Sequence, residues 1–368
     1  MSSVFWCSSC LAMSTRNRIT FNSDGKCNAC SWAEEKKLLN WNERELQLEN
    51  LLDKHRSSNK EFDCLVPVSG GKDGSYVSYQ LKEKYGMNPL CLTVRPPLQL
   101  EIGNQNLQNF INSGYSLISV DTDINTMQFL NKNGFIEMGF PYYGWLIAIQ
   151  SIPVRIANNL GINLIFYGED GEVEYGGSSE TSKDYVYDVD YMKKIYLEGG
   201  YSKRLENAES KNLNGVELFK FPNNVNSSLE ITHWSYFENW DPYRNYLVAK
   251  EHCGLIENKG TNSGTFTNFA QNDQALYSLH TYLMYLKFGF GRANQDACIE
   301  IRRGAMDRSQ AINLVRFYDG KYPEEFINLY LDYYQMSMDE FDNVLDKWAN
   351  KNLFTKKEGK WVPNFEIT

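Results

Sequence analysis

The stretch DCLVPVSGGKDGS, Asp63 to Ser75, runs from a short apolar segment into a glycine-rich loop. YVSYQLKEKYG follows and reads as a helix closed by Gly86, and PLCLTV at 89–94 reads as a second short strand. Strand, loop, helix, strand is the opening of a parallel α/β sheet. Pro67 donates no hydrogen bond and suits the middle of a central strand poorly, so pairing is expected to end where the loop begins. The glycines at 70, 71 and 74 permit a tight turn and bring backbone N–H groups close to an anion, and the helix start adds its positive dipole end. Ser69 and Ser75 offer hydroxyls, Lys72 a mobile positive charge and Asp73 a carboxylate able to hold Mg2+. The loop therefore reads as a phosphate cradle. It is neither a Walker loop nor a dinucleotide fingerprint, because GxxxxGK and GxGxxG are both absent.

Outward from the loop, SLISV at 116–120 and NLIFY at 163–167 are expected as third and fourth strands, with helices at about 104–112, 124–133 and 142–160 between them. This alternation predicts a doubly wound parallel sheet. Residues 171–230 lose periodicity and read as a long insertion beyond a strand's carboxyl end, of the kind that covers a site. After Thr232 the chain is expected to be mainly helical, at 243–252, 270–288 and 323–333, with Ser337 and Glu340 forming a capping box before the last long helix. Upstream, Leu38, Leu39, Leu46, Leu51 and Leu52 mark a helical connector ending in a polar linker at Ser57–Lys60. Four regions follow: residues 1–35, the connector 36–60, an α/β domain 61–230 with an insertion at about 171–230, and a helical substrate-binding region 231–368.

Cys7, Cys10, Cys27 and Cys30 form two CxxC pairs separated by sixteen residues. That spacing suits a tetrahedral four-thiolate zinc site better than a chance cluster or a redox pair, and TRNRITFNSDG between them reads as a hairpin turning at Asp24-Gly25. With all four positions filled by protein, the zinc is expected to be structural and to fold a ribbon too small for its own core. Cys64 and Cys91 fall in expected strands and read as core residues; Cys253 and Cys298 stand singly.

The chain has 368 residues, 37 Lys and Arg against 46 Asp and Glu, and a net charge of −9, which opposes a long contact with nucleic acid. With 42% hydrophobic and 23% charged residues it has the composition of a soluble globular protein. No apolar run reaches the ~18 residues of a membrane span. MSSVFWCSSC lacks the basic and apolar regions of a secretion signal, so no membrane association and a cytoplasmic location are expected.

SGGKDGS resembles the SGGxDS signature of the PP-loop ATP pyrophosphatases, which cleave ATP between its α and β phosphates on an adenine nucleotide alpha hydrolase-like sheet. Two of their subfamilies join a zinc ribbon to SGGKDxS: the tRNA thiolases and the N-acetyl sugar amidotransferases of surface-polysaccharide (lipopolysaccharide, O-antigen) and nonulosonic-acid pathways. The whole chain resembles the second, through GEDGEVEYGG at 168–177, WDPYRNYLVAKEHCG at 240–254 and GRANQDACIEIRRGAMDRSQA at 291–311. The resemblance implies ATP, Mg2+ and structural Zn2+ as cofactors. It also implies conversion of an acetamido group on a sugar to an acetamidino group, with ammonia from a separate glutaminase and a channel-forming partner resembling the imidazole-glycerol-phosphate synthase pair. Adenylation turns a poor amide electrophile into an imidate that ammonia attacks, so no protein nucleophile is required.

On that reading Ser69, Gly70, Gly71, Lys72, Asp73, Gly74, Ser75 and Gly168 hold the nucleotide, and Lys72, Asp73 and Glu169 are catalytic, with Glu169 or Asp170 joining Asp73 on Mg2+. Gly168-Glu169-Asp170-Gly171 follows the fourth strand, placing its carboxylates at the ligand-binding edge of the sheet. Glu174, Tyr175, Arg302 and Arg308 are the candidate substrate contacts, the last two from a cluster with Arg292 and Arg303 whose planar forks suit carboxylate or phosphate. His55, His233, His252 and His280 are isolated and read as structural; Trp234, Trp240 and Asp241 are better explained by packing than by a sugar pocket. A tRNA thiolase is the competing expectation and would bring a basic surface and extra cysteines for sulfur relay or an iron–sulfur cluster. A non-catalytic nucleotide-binding adapter would need the loop without the acidic and arginine-rich segments.

Overall fold

Four apolar runs become parallel strands: β1 (Cys64–Pro67), β2 (Pro89–Val94), β3 (Leu117–Val120) and β4 (Leu164–Tyr167). A fifth, β5 (Glu230–His233), pairs with β4 to complete a sheet of order β3-β2-β1-β4-β5. The computed structural model describes residues 4–56 and 61–368. Leu65 at the centre lies opposite Leu90 on one side and Ile165 on the other.

Strand side chains alternate between faces, and the two faces carry separate cores. Leu65, Leu90, Leu92 and Ile165 pack with α5 (Ile124–Met138) and α6 (Tyr143–Leu160). Cys64, Val66, Cys91 and Phe166 pack with α2 (Trp41–His55), α3 (Lys72–Tyr79), α4 (Glu101–Asn112) and α10 (Pro242–Cys253). Burying each large apolar side chain on either face contributes ~1.5–3 kcal/mol, so the central strand is held from both sides although it is four residues long. Pro67 is its last residue, as its missing N–H predicts.

The observed helices α4, α5 and α6 fill the spaces expected for them, and α10 ends at Gly254, whose φ of +70° suits glycine. Three expectations need correction. The boundary at 230/231 falls inside β5, which Glu-Ile-Thr-His does not announce by any apolar run; its strand conformation comes from pairing with β4 and the Tyr187–Ile231 bridge. The insertion is partly helical, with α7 (Gly171–Tyr175), α8 (Val189–Tyr191) and α9 (Tyr201–Ser210). Residues 270–275 form no α-helix, and α11 spans Leu276–Phe288. The expected linker at Ser57–Lys60 lies outside the described residues.

The C-terminal region continues through α12 (Arg292–Arg303), α13 (Arg308–Tyr318), α14 (Ile327–Tyr334), α15 (Met338–Trp348) and the hairpin β6 (Phe354–Lys357)–β7 (Lys360–Pro363). The Ser337–Glu340 capping box is formed. The cysteine-bearing segment leads into α1 (Asn28–Glu35) and shares one apolar cluster with α12 and α13 through Leu11, Ala297, Ala311 and Val315. Among the described residues no helix is long and apolar enough to cross a membrane.

Candidate active site at the switch point of the sheet

Strand order reverses direction between β1 and β4, so the loops leaving their carboxyl ends diverge and open a crevice. The glycine-rich loop follows β1 and Glu169 follows β4, one on each lip. Gly70 has φ +81°, and a Cβ there would lie 2.4 Å from the Leu107 backbone nitrogen. A Cβ on Gly74 would lie 2.8 Å from the Pro67 carbonyl oxygen. These glycines let the loop press against α4 and let α3 begin directly over the end of β1. Gly71 caps α3 without a side-chain acceptor, leaving first-turn N–H groups to face the crevice.

Lys72 Nζ donates to Asp73 Oδ2 at 2.5 Å. Asp73 Oδ1 is buried without a hydrogen-bond partner on the cavity wall, an acceptor set for a bound group; Ser75 Oγ is likewise unpaired but lies fully buried within α3 and does not line the cavity. Across the crevice, burial pushes the Glu169 carboxyl up to about 7, Asp73 adds to the shift and Lys72 opposes it. Tyr175 Oη donates to Glu169 Oε2 at 2.9 Å. Gly168 lets the lips approach, since a Cβ there would sit 3.0 Å from Asp73 Cβ and 3.2 Å from Trp240 Cη2. The paired carboxylates and orphaned oxygen fit a hard divalent cation such as Mg2+, and the N–H groups with Lys72 fit a polyphosphate.

A third acidic group, Asp273, faces the loop. Burial raises its carboxyl to about 6, while a hydrogen bond from Ser69 and the charge of Lys72 oppose that rise. Sequence reasoning missed it because 270–275 reads as the start of a helix. Its placement is tertiary: its carbonyl accepts from Leu100 N at 2.9 Å, and Gly103, which has no Cβ, leaves room for the Asp273 backbone against α4. Asp273, Tyr142, Trp145, Tyr277 and Arg292 complete a cavity of about 400 Å3 with the loop and Glu169. Trp145 is fixed by donating from Nε1 to Val94 O at 3.0 Å, and this aromatic wall suits a purine ring.

Other candidates have different surroundings. Asp170 caps α7, accepts from the Thr181 hydroxyl and faces the insertion, so Glu169 is the member of that pair lining the cavity. Glu174 pairs with Lys36 at 2.7 Å and accepts from Trp32 Nε1 at 3.1 Å. Arg302 donates to the Glu174 carbonyl at 3.1 Å and approaches Cys10 Sγ at 3.9 Å. Arg308 donates to the carbonyls of Cys7 and Cys10 at 3.2 and 3.3 Å, which makes it a brace for the cysteine-bearing segment. Arg292 faces the cavity and is held by Asp296 at 2.8 Å. His233 stacks on Tyr187, His252 on Tyr79, His55 meets Glu230, and desolvation holds the half-buried His280 down at about 3.

The four N-terminal cysteines are buried, with their sulfurs within 4.8 Å of one another. Cys7 and Cys30 sulfurs are 3.9 Å apart and those of Cys10 and Cys27 are 3.7 Å apart, close to the ~3.8 Å that tetrahedral ~2.3 Å zinc–sulfur bonds impose. Backbone N–H groups of Ser9, Cys10 and Cys27 point at Cys7 Sγ. The arrangement can hold a metal. Cys253 and Cys298 lie in separate apolar clusters and do not meet.

Residues 263–366 match the family of LPS biosynthesis protein WbpG-like, C-terminal domain. This WbpG-like stretch contains GRANQDACIEIRRGAMDRSQA and supplies Asp273, Tyr277 and Arg292 to the cavity. Among solved structures, the U34-tRNA thiolase NcsA from Methanococcus maripaludis with its 4Fe-4S cluster aligns at 15% identity and a TM-score of 0.32, over 88% of this chain and 90% of its own. No curated protein matches the chain.

Proposed function

We propose that this protein transfers AMP from ATP to the amide oxygen of an acetamido sugar or acetamido nonulosonic acid, releasing pyrophosphate, and that ammonia then displaces AMP to leave an acetamidino group. The observation that carries this reading is the facing of Asp73 and Glu169 across an N–H-lined loop at the switch point of the sheet. Mg2+ held by Asp73 and Glu169 would neutralise charge on the phosphates. Lys72 and the first N–H groups of α3 stabilise the negative charge that builds as the bond to pyrophosphate breaks. Tyr142, Trp145 and Tyr277 hold the base, and the amide oxygen attacks the α-phosphorus. Ammonia adds to the imidate carbon, the carbon–oxygen bond to AMP breaks, and a proton from the added nitrogen leaves to solvent.

The WbpG-like stretch supports a place in lipopolysaccharide biosynthesis. As part of the same proposal, a cytoplasmic glutaminase with a channel-forming partner supplies the ammonia, and the four cysteines hold a structural zinc. The test is incubation with ATP, Mg2+, an ammonium salt and a panel of free and nucleotide-linked acetamido sugars, read by mass spectrometry. AMP, pyrophosphate and a sugar with NH in place of O are expected. ADP as the nucleotide product would overturn the reading, as would AMP formed only with tRNA and a sulfur donor.

A further inference from the structure

Glu169 lines two cavities. The second, of about 320 Å3, lies between the segment after α1 and helix α12 and shares none of the aromatic wall; Lys37, Trp41, Trp240, Asp241, Ile299 and Arg302 contribute to it. AMP transfer needs two reactants held together. A nucleotide accounts for the first cavity, and its partner requires a surface that reaches the same carboxylate.

The lining of the second cavity describes that partner. Trp240 is 5% exposed, yet its Nε1 has no hydrogen-bond partner, leaving a buried donor for a ligand oxygen. Lys36 is matched by Glu174 at 2.7 Å and Arg303 by Asp241 at 3.1 Å. Lys37 makes no ion pair among the described residues, whereas Arg302 donates to a carbonyl and to Cys10 Sγ and is matched by the cysteine cluster. The surplus is positive. A volume many times the ~30 Å3 share of one water molecule, with charged and indole walls, is that of an organic-ligand site and not of an ammonia conduit.

We propose that this second cavity is the acceptor subsite, taking a hydroxyl-rich acetamido compound with an anionic group on Lys37 and passing its carbonyl over Glu169 to the nucleotide. The assignment rests on the AMP-transfer reading above. Ile299→Cys places a thiol on the wall of the cavity, while the eight native cysteines are buried. Maleimide labelling of the full-length variant is followed with an α,β-methylene ATP analogue and Mg2+, with or without UDP-N-acetylglucosamine or N-acetylneuraminic acid. At least one of these two probes is expected to slow labelling by about fivefold or more, with the nucleotide alone changing it less than about twofold. Labelling unchanged by both probes, or slowed equally by nucleotide alone, overturns the subsite.

Lys37→Glu, an exposed position, is expected to raise the probe concentration needed for half-maximal protection by about tenfold while nucleotide affinity stays the same. Protection that is equal in this variant overturns the anion assignment. The reaction is scored separately: protection without AMP formation sinks the AMP-transfer reading and keeps the cavity as a ligand site, whereas AMP formation without protection sinks the subsite alone.

Discussion

Glu169 and Asp273 share a condition that sets the pH behaviour of the site: burial raises both carboxyls, to about 7 and about 6. A carboxyl must be ionised to hold a cation, so kcat/KM for ATP at limiting Mg2+ should rise through pH 6–7 and level off above it. Raising Mg2+ should move that limb to lower pH, because the cation binds the ionised form. Glu169→Gln should lower AMP formation by about a hundredfold or more and remove the upper part of the limb, leaving the part due to Asp273; a limb unchanged in that variant would place the titration elsewhere. The stability contribution has the opposite sign. Both folded carboxyls lose protons at higher pH than they do in the unfolded chain, so their contribution is present below the ordinary carboxylate range and is lost as pH rises through 6–7. Thermal melting of the ligand-free protein should therefore fall less across this window in Glu169→Gln than in the parent. Glu169 was legible because it lies two residues past the apolar run ending at Tyr167, and Asp73 because it sits in the glycine-rich loop between a strand and a helix signal. Asp273 was not, because a contact with α4 brings it in and leaves no periodic signal.

At the scale of elements, the loop depends on two close backbone approaches. Gly70→Ala introduces a Cβ 2.4 Å from the Leu107 nitrogen at a φ of +81°. It should cost more than the ~1–2 kcal/mol of left-handed strain alone and weaken binding of a non-hydrolysable ATP analogue; unchanged affinity by calorimetry would contradict the packed loop. Ser337→Ala, at the cap of α15, serves as the contrast. Ser337 Oγ accepts from Glu340 N at 3.3 Å, so its loss should lower stability by about 1 kcal/mol in denaturant titration with AMP formation untouched. Strands β1 to β4 could be read from sequence because they are apolar runs bounded by turn residues. β5 could not, since two of its four residues are charged or titratable and only the neighbouring edge makes it a strand. The same lesson applies to α7, whose five residues are fixed by the Asp170 cap and by packing on α1.

For the molecule as a whole, the cysteine-bearing segment is part of the main body. Arg308 and Asn294 hold its carbonyls, and Glu172 takes Arg18 in a two-point pair at 2.7 and 2.8 Å. Removing the metal should loosen α12 and α13 as well, lowering the main melting transition by roughly 10 °C or more instead of melting a small separate unit. A first transition that involves only the N-terminal segment would refute this coupling. Sequence spacing pointed to the four-cysteine cluster, but not to its docking on the far end of the chain. The same long reach shapes the nucleotide cavity, where the wall bearing Lys72 and the wall bearing Asp273 and Arg292 come from residues two hundred apart in the chain. During synthesis the glycine-rich loop thus leaves the ribosome well before its opposing wall exists. The cavity is complete only once Asp273, Tyr277 and Arg292 have been made, so nucleotide should stabilise the full chain but not a chain cut before them.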